Sequence, residues 1–118
     1  EEHNWKLVRK YQMVSREIAD AEMFMADDAN FVVIAYGTAA RIAKGAVKRV
    51  REIGLQVGLF RPITLWPFPE AKLRNLSRVV RNFLVFEMST GQMVEDVRLA
   101  LEGRADVHFY RRPGGVIS

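Results

Sequence analysis

The residues best placed to do chemistry lie in VFEMSTGQMVEDVRLALEG, Val85 to Gly103. Glu87 follows a run of apolar residues, then come Ser89, Thr90, Gly91 and Gln92, then an amphipathic stripe. A buried carboxylate at such a point can act as a general base. Its alternative is to accept hydrogen bonds from the turn or from the N–H groups that open the following helix. No second catalytic group stands near Glu87, and Ser89 has no neighbouring base, so the second role is expected. A second candidate turn is Tyr36-Gly37-Thr38, where small residues expose backbone N–H groups as a weak anion site. The turn lacks the dinucleotide fingerprint G-x-G-x-x-G and the Walker A pattern. Its expected role is to bring Gly37 and Ala39 close to a strand. The acid cluster of a response-regulator receiver is also missing.

Both turns need a scaffold, and the sequence supplies one. Phe31 to Tyr36 is a continuous apolar run, which predicts a strand buried on both faces of a parallel sheet. Val57–Phe60, Phe83–Met88 and Val107–Tyr110 are further strands. Helical stripes lie between them: Ile42, Ala43, Ala46, Val47, Val50 and Ile53, then a short helix opened by Pro69, then Met93, Val94, Val97 and Leu101. Strands alternating with helices imply right-handed crossovers. The expected fold is a three-layer αβα, doubly wound parallel sheet of four strands in the order 2-1-3-4. Ligands in such sheets bind outside the carboxyl ends of the strands. Upstream, Leu7, Tyr11, Val14, Ile18, Ala21 and Met25 repeat at helical spacing, which predicts an N-terminal helix within residues 1–26.

The 118 residues suffice for a single domain, 1–118. The chain opens on EEHNWK, inside a helical pattern and without an initiator Met, so a piece of a longer chain is expected. No apolar run reaches the roughly 20 residues of a membrane span, and no membrane partner is expected. The absence of cysteine excludes disulfides and cysteine-ligated clusters within these residues and suits a cytoplasmic setting. The two histidines stand far apart, so no metal site is expected. The net charge is +4. Arg41, Lys44, Lys48 and Arg51 form a stripe with no interleaved aromatic residue, which reads as a solvated helix face rather than a nucleic-acid contact.

Between the second strand and the short helix lies Leu65-Trp66-Pro67-Phe68-Pro69. Prolines restrict this loop, and aromatic residues dominate interface hot spots. At least one of Trp66 and Phe68 is therefore expected to face a neighbouring domain, with Arg61, Arg111 and Arg112 as a charged rim.

Gly37-Thr38-Ala39, Arg61-Pro62, Leu65-Trp66-Pro67-Phe68-Pro69, Glu87-Met88, Gly91-Gln92-Met93 and Gly114-Gly115 together resemble the C-terminal part of the α subunit of 2-oxoacid:ferredoxin oxidoreductases, of the 2-oxoisovalerate or 2-oxoglutarate type. The resemblance implies a transketolase C-terminal-like domain. It implies a parent complex that converts a 2-oxoacid to an acyl-CoA with thiamine diphosphate and Mg²⁺, passing electrons through iron–sulfur clusters to ferredoxin. An upstream thiamine-dependent domain and other subunits are the implied partners. This segment would then be structural and inactive alone, with no catalytic or cofactor-binding residue of its own. Gly37, Thr38, Arg61, Trp66, Phe68, Glu87, Gly91 and Gln92 would be docking or ligand-shaping positions. The competing expectation is a free-standing flavodoxin-like module that binds a small anion.

Overall fold

The computed structural model describes residues 19–88 and 93–111. Its five strands are β1 (Ala21–Phe24), β2 (Phe31–Ala35), β3 (Val57–Pro62), β4 (Asn82–Glu87) and β5 (Asp106–Arg111). Its three helices are α1 (Thr38–Glu52), α2 (Glu70–Leu76) and α3 (Met93–Leu101). They build one sheet in the order β1-β3-β2-β4-β5.

The strands β3, β2, β4 and β5 run parallel, in the arrangement expected of the four sequence-derived strands. The expectation of four strands is corrected by β1, which adds to the sheet antiparallel to β3. The same segment corrects the N-terminal helix: Ala21–Phe24 is strand, while residues 1–18 lie outside the described residues. The outer edge of β3 offers unpaired backbone N–H and C=O groups, and β1 satisfies them with Glu22 opposite Arg61 and Phe24 opposite Leu59. That pairing outweighs the helical spacing of Ala21 and Met25. At Met25 the backbone turns with a positive φ of 55° and leaves the sheet.

Strand alternation divides the core in two. Val32, Ile34, Phe60, Phe83 and Val85 point to one face, where Leu73 and Leu76 of α2 and Met93, Val94, Val97, Ala100 and Leu101 of α3 cover them. Ala35 and Leu59 point to the other, against Ala39, Ala40, Ala43 and Val47 of α1. The layers are helix, sheet, helix. The central position of β2 is as its apolar run predicts, with Val32, Ile34 and Ala35 wholly buried.

The stripe expected for α1 is rotated. Ile42 and Ile53 are exposed, and small residues make the sheet contact instead. Ala39, Ala40 and Ala43 let the helix lie close, so the larger β-branched residues turn aside. The stripe of α3 is as expected.

A close backbone approach holds β3 to the turn after β1. A Cβ on Gly58 would stand 2.7 Å from both the Ala26 Cα and the Met25 carbonyl oxygen. Glycine alone fits there.

Candidate functional site

The carboxyl ends of β2, β3 and β4 share one edge of the sheet, as parallel strands must, and each leads into one of the candidate segments.

After β2 the chain turns at Gly37, whose φ of 61° and ψ of −132° suit only glycine. A Cβ there would meet nothing within 4 Å, so backbone conformation, not close approach, demands the glycine. That corrects the expected reason. Ala39 does pack closely, in the α1 core. Thr38 opens α1 exposed, and no side-chain hydrogen bond caps this helix. Tyr36 is exposed beside them.

After β4, Glu87 is half-buried and its carboxylate is occupied. Oε1 accepts the Met93 backbone N–H at 3.3 Å, and Oε2 accepts that of Val94 at 3.2 Å. These donors open α3, so a carboxylate is favourable there both as a hydrogen-bond acceptor and as a negative charge. Glu87 is a cap across the βα turn. Residues 89–92, Gly91 and Gln92 among them, lie outside the described residues.

After β3 the loop from Ile63 to Pro69 is tied down at several points. The Ile63 N–H donates to the Asp20 carbonyl at 2.9 Å, and the Thr64 hydroxyl donates to the Pro67 carbonyl at 2.8 Å. The Asp20 carboxylate pairs with Lys72 of α2 and accepts its neighbour's N–H from Ala21 at 2.7 Å. The Lys72 hydrogen bond and then the Ala21 N–H hold the Asp20 carboxyl below its ordinary range. Trp66–Pro67 is a cis peptide. The two aromatic side chains part company here. Phe68 packs against the core under α2 and α3, whereas Trp66 stands 81% exposed. Ile63 and Leu65 are exposed beside it in sequence. Phe68 anchors the loop and Trp66 is presented by it.

Arg61 is not available as a free site group. It bonds Glu22, its cross-strand partner on β1, at 2.9 Å. Of the expected rim, Arg111 ends β5 and Arg112 lies outside the described residues.

The basic stripe of α1 also departs from expectation. The ammonium groups of Lys44 and Lys48 sit over the Phe24 ring, 4.8 and 5.9 Å from its centroid. Arg51, with 17% of its side chain exposed, forks onto Asp28 at 2.7 and 3.1 Å and donates to the carbonyls of Met25 at 2.6 Å and Val57 at 2.8 Å. The hydrogen bonds between the two side chains raise the Arg51 pKa and lower that of Asp28. Sequence spacing placed these cations on one face but gave no view of β1, which supplies Phe24.

The Asp96 carboxyl on α3 is pushed up, first by burial and then by the charges of Glu70 and Glu95. Among the described residues no three His, Asp or Glu side chains converge as metal ligands do, and the sequence has no cysteine. The side chains described here do not form a ligand set for Mg²⁺ or an iron–sulfur cluster. Among the described residues, no helix is long and apolar enough to cross a membrane.

Residues 29–118 match the family described as pyruvate:ferredoxin oxidoreductase core domain II. The chain belongs to that family. This core domain II is 44% identical over 115 residues to the ketoisovalerate oxidoreductase subunit VorB of Methanothermobacter marburgensis, covering 98% of the chain and 32% of the relative. It is 38% identical over 101 residues to the 2-oxoglutarate synthase subunit KorA of the same organism, covering 86% of the chain and 27% of the relative. The chain thus spans about a third of the length of these curated relatives. Among solved structures it matches the 2-oxoglutarate:ferredoxin oxidoreductase of Magnetococcus marinus with 2-oxoglutarate, coenzyme A and succinyl-CoA bound. That match has a TM-score of 0.72 and 19% identity, and covers 100% of this chain and 22% of the other. It supports the fold. Family membership favours a domain of an oxidoreductase over the flavodoxin-like anion module.

Proposed function

We propose that this core domain II is a transketolase C-terminal-like assembly domain of a cytoplasmic, thiamine diphosphate-dependent 2-oxoacid:ferredoxin oxidoreductase, with 2-oxoisovalerate as the favoured substrate and 2-oxoglutarate as the alternative. The parent enzyme decarboxylates the 2-oxoacid oxidatively to an acyl-CoA and hands the electrons to ferredoxin. Thiamine diphosphate, Mg²⁺, the iron–sulfur clusters and the CoA site belong to an upstream thiamine-dependent domain and to other subunits. Thiamine diphosphate supplies the carbanion chemistry of that reaction when bound there. This chain shapes and docks.

The observation that carries the reading is the division of labour in the β3 loop. Phe68 is half-buried against the core and holds the loop, and Trp66 is exposed at the strand ends. An exposed Trp on a restrained loop loses little entropy on docking and brings a large apolar area to an interface. Gly37 and Thr38 flank the same edge as shaping positions. Glu87 supports them from beneath by fixing the start of α3, with both carboxylate oxygens engaged.

The test is an assay of the purified full-length complex with 2-oxoacid, CoA and a viologen dye. CoA-dependent dye reduction is expected, faster with 2-oxoisovalerate than with 2-oxoglutarate. This chain expressed alone is expected to give none. Turnover by the chain alone, or a full complex inert to every 2-oxoacid, would overturn the proposal.

A further inference from the structure

At the amino ends of β4 and β5, opposite the site above, lies a cleft of about 400 Å³ lined by Arg74, Ser77, Arg78, Arg81 and Arg104. Arg81 immediately precedes β4, and Arg104 lies just before β5. The cleft gathers four positive charges, in a chain whose formal net charge is +4. Among the described residues one carboxylate pairs with them: Glu102, 3.6 Å from Arg104.

Two of the arginines reach backbone carbonyls, Arg74 from a half-buried position and Arg81 from an exposed one. Arg74 donates its Nε–H to the Ala100 carbonyl at 3.0 Å, and Arg81 donates from Nη1 to the Arg104 carbonyl at 3.4 Å. Ser77, 2% exposed, donates its hydroxyl to the Arg74 carbonyl at 2.5 Å and holds the end of α2 in place. Each bound guanidinium spends one donor on the protein and has further N–H groups. Arg78 and Arg104 are exposed at the rim. Four like charges drawn together raise the energy of the folded chain unless an anion enters.

We propose that this cleft binds a small molecule carrying two or more linked phosphate groups, gripped by Arg78, Arg81 and Arg104 against the half-buried Arg74. The planar guanidinium fork matches phosphate oxygens, and the volume lies in the range of small-molecule sites. The lining is arginine and serine alone, so it offers no apolar pocket to anchor the side chain of an acidic peptide.

The experiment is calorimetric titration of inorganic tripolyphosphate into the full-length protein at low salt. A saturable site is expected, with affinity falling steeply as salt rises. The double substitution Arg78→Gln with Arg104→Gln should weaken that site by about tenfold or more. Both residues are exposed, and an unchanged circular dichroism spectrum would show that the variant folds. Trp66→Ala should leave the site intact. The proposal is overturned if no saturable binding occurs up to millimolar tripolyphosphate or if the double variant binds unchanged. It is also overturned if polyglutamate displaces tripolyphosphate at matched charge, which would mark the cleft as a protein-docking surface. None of these results bears on oxidoreductase activity, so the two readings fail separately.

Discussion

At the carboxyl ends of the parallel strands the exposed side chains include Tyr36, Ile63, Leu65 and Trp66. At the amino ends they include Arg78, Arg81 and Arg104. Ile53, Leu55 and Val79 are also exposed near the amino ends, so what separates the two ends is the restrained Trp66 loop at one and the gathered guanidinium groups at the other. Apolar surface gains by meeting another protein surface, whereas clustered cations gain by meeting an anion. The two ends therefore call for different partners. Their internal supports are alike, however. Glu87, Phe68 and the Asp20–Lys72 pair hold the carboxyl end, and Ser77 and the bonded arginines hold the amino end.

If both ends rest on one core, damage to that core should abolish the contrast altogether. Phe83, wholly buried on β4 beneath α2 and α3, is the place to strike. Phe83→Ala is expected to cost about 3–5 kcal/mol in urea unfolding. A loss under about 1 kcal/mol would mean that the core is not shared. Gly58→Ala comes next, because its Cβ meets backbone atoms that have no rotamer to change. A cost of about 1–3 kcal/mol is expected, and a neutral outcome would contradict the tight β3 contact.

Smaller changes address one end at a time. Glu87→Ala removes the cap from the Met93 and Val94 N–H groups and should cost about 1 kcal/mol. Glu87→Gln keeps an acceptor and should cost less. Equal losses would show that capping is not what Glu87 does. Acid should act through Asp28. Its folded-state pKa lies below the ordinary 3.8, chiefly through the hydrogen bond from Arg51. The stability it contributes is therefore present above 3.8 and is lost as the pH falls through the lowered value. Asp28→Asn should lower stability slightly at neutral pH and flatten the acid limb of a stability–pH curve. An unaltered acid limb would assign that limb to other carboxylates.

Much of the carboxyl end was legible in the sequence, because its signals are local. The apolar run from Phe31 marks the central strand, and Glu87 ahead of an apolar helix reads as a cap. Prolines around Trp66 and Phe68 mark a restrained loop, although which aromatic turns inward depends on the core that α2 and α3 build. The amino end was harder. Arg74, Arg78 and Arg81 recur at spacings of four and three, but Arg104 joins them only through the pairing of β4 with β5. The strand β1 was hidden for the same reason. Its residues carry a helical period, and only the open edge of β3 draws them into the sheet. Arg51 resembled a solvated cation because its partners, Asp28 and the carbonyls of Met25 and Val57, come from other elements.

The central claim is that the carboxyl end is an interface, and Trp66 tests it most directly. Being exposed, it should contribute little to folding: Trp66→Ala is expected to change the unfolding free energy of this chain by less than about 0.5 kcal/mol. The decisive measurement is subunit assembly of the full-length protein carrying Trp66→Ala, followed by analytical ultracentrifugation across a dilution series. The account predicts dissociation at higher concentrations than in the unsubstituted protein, with folding unaltered. Unchanged assembly would contradict it.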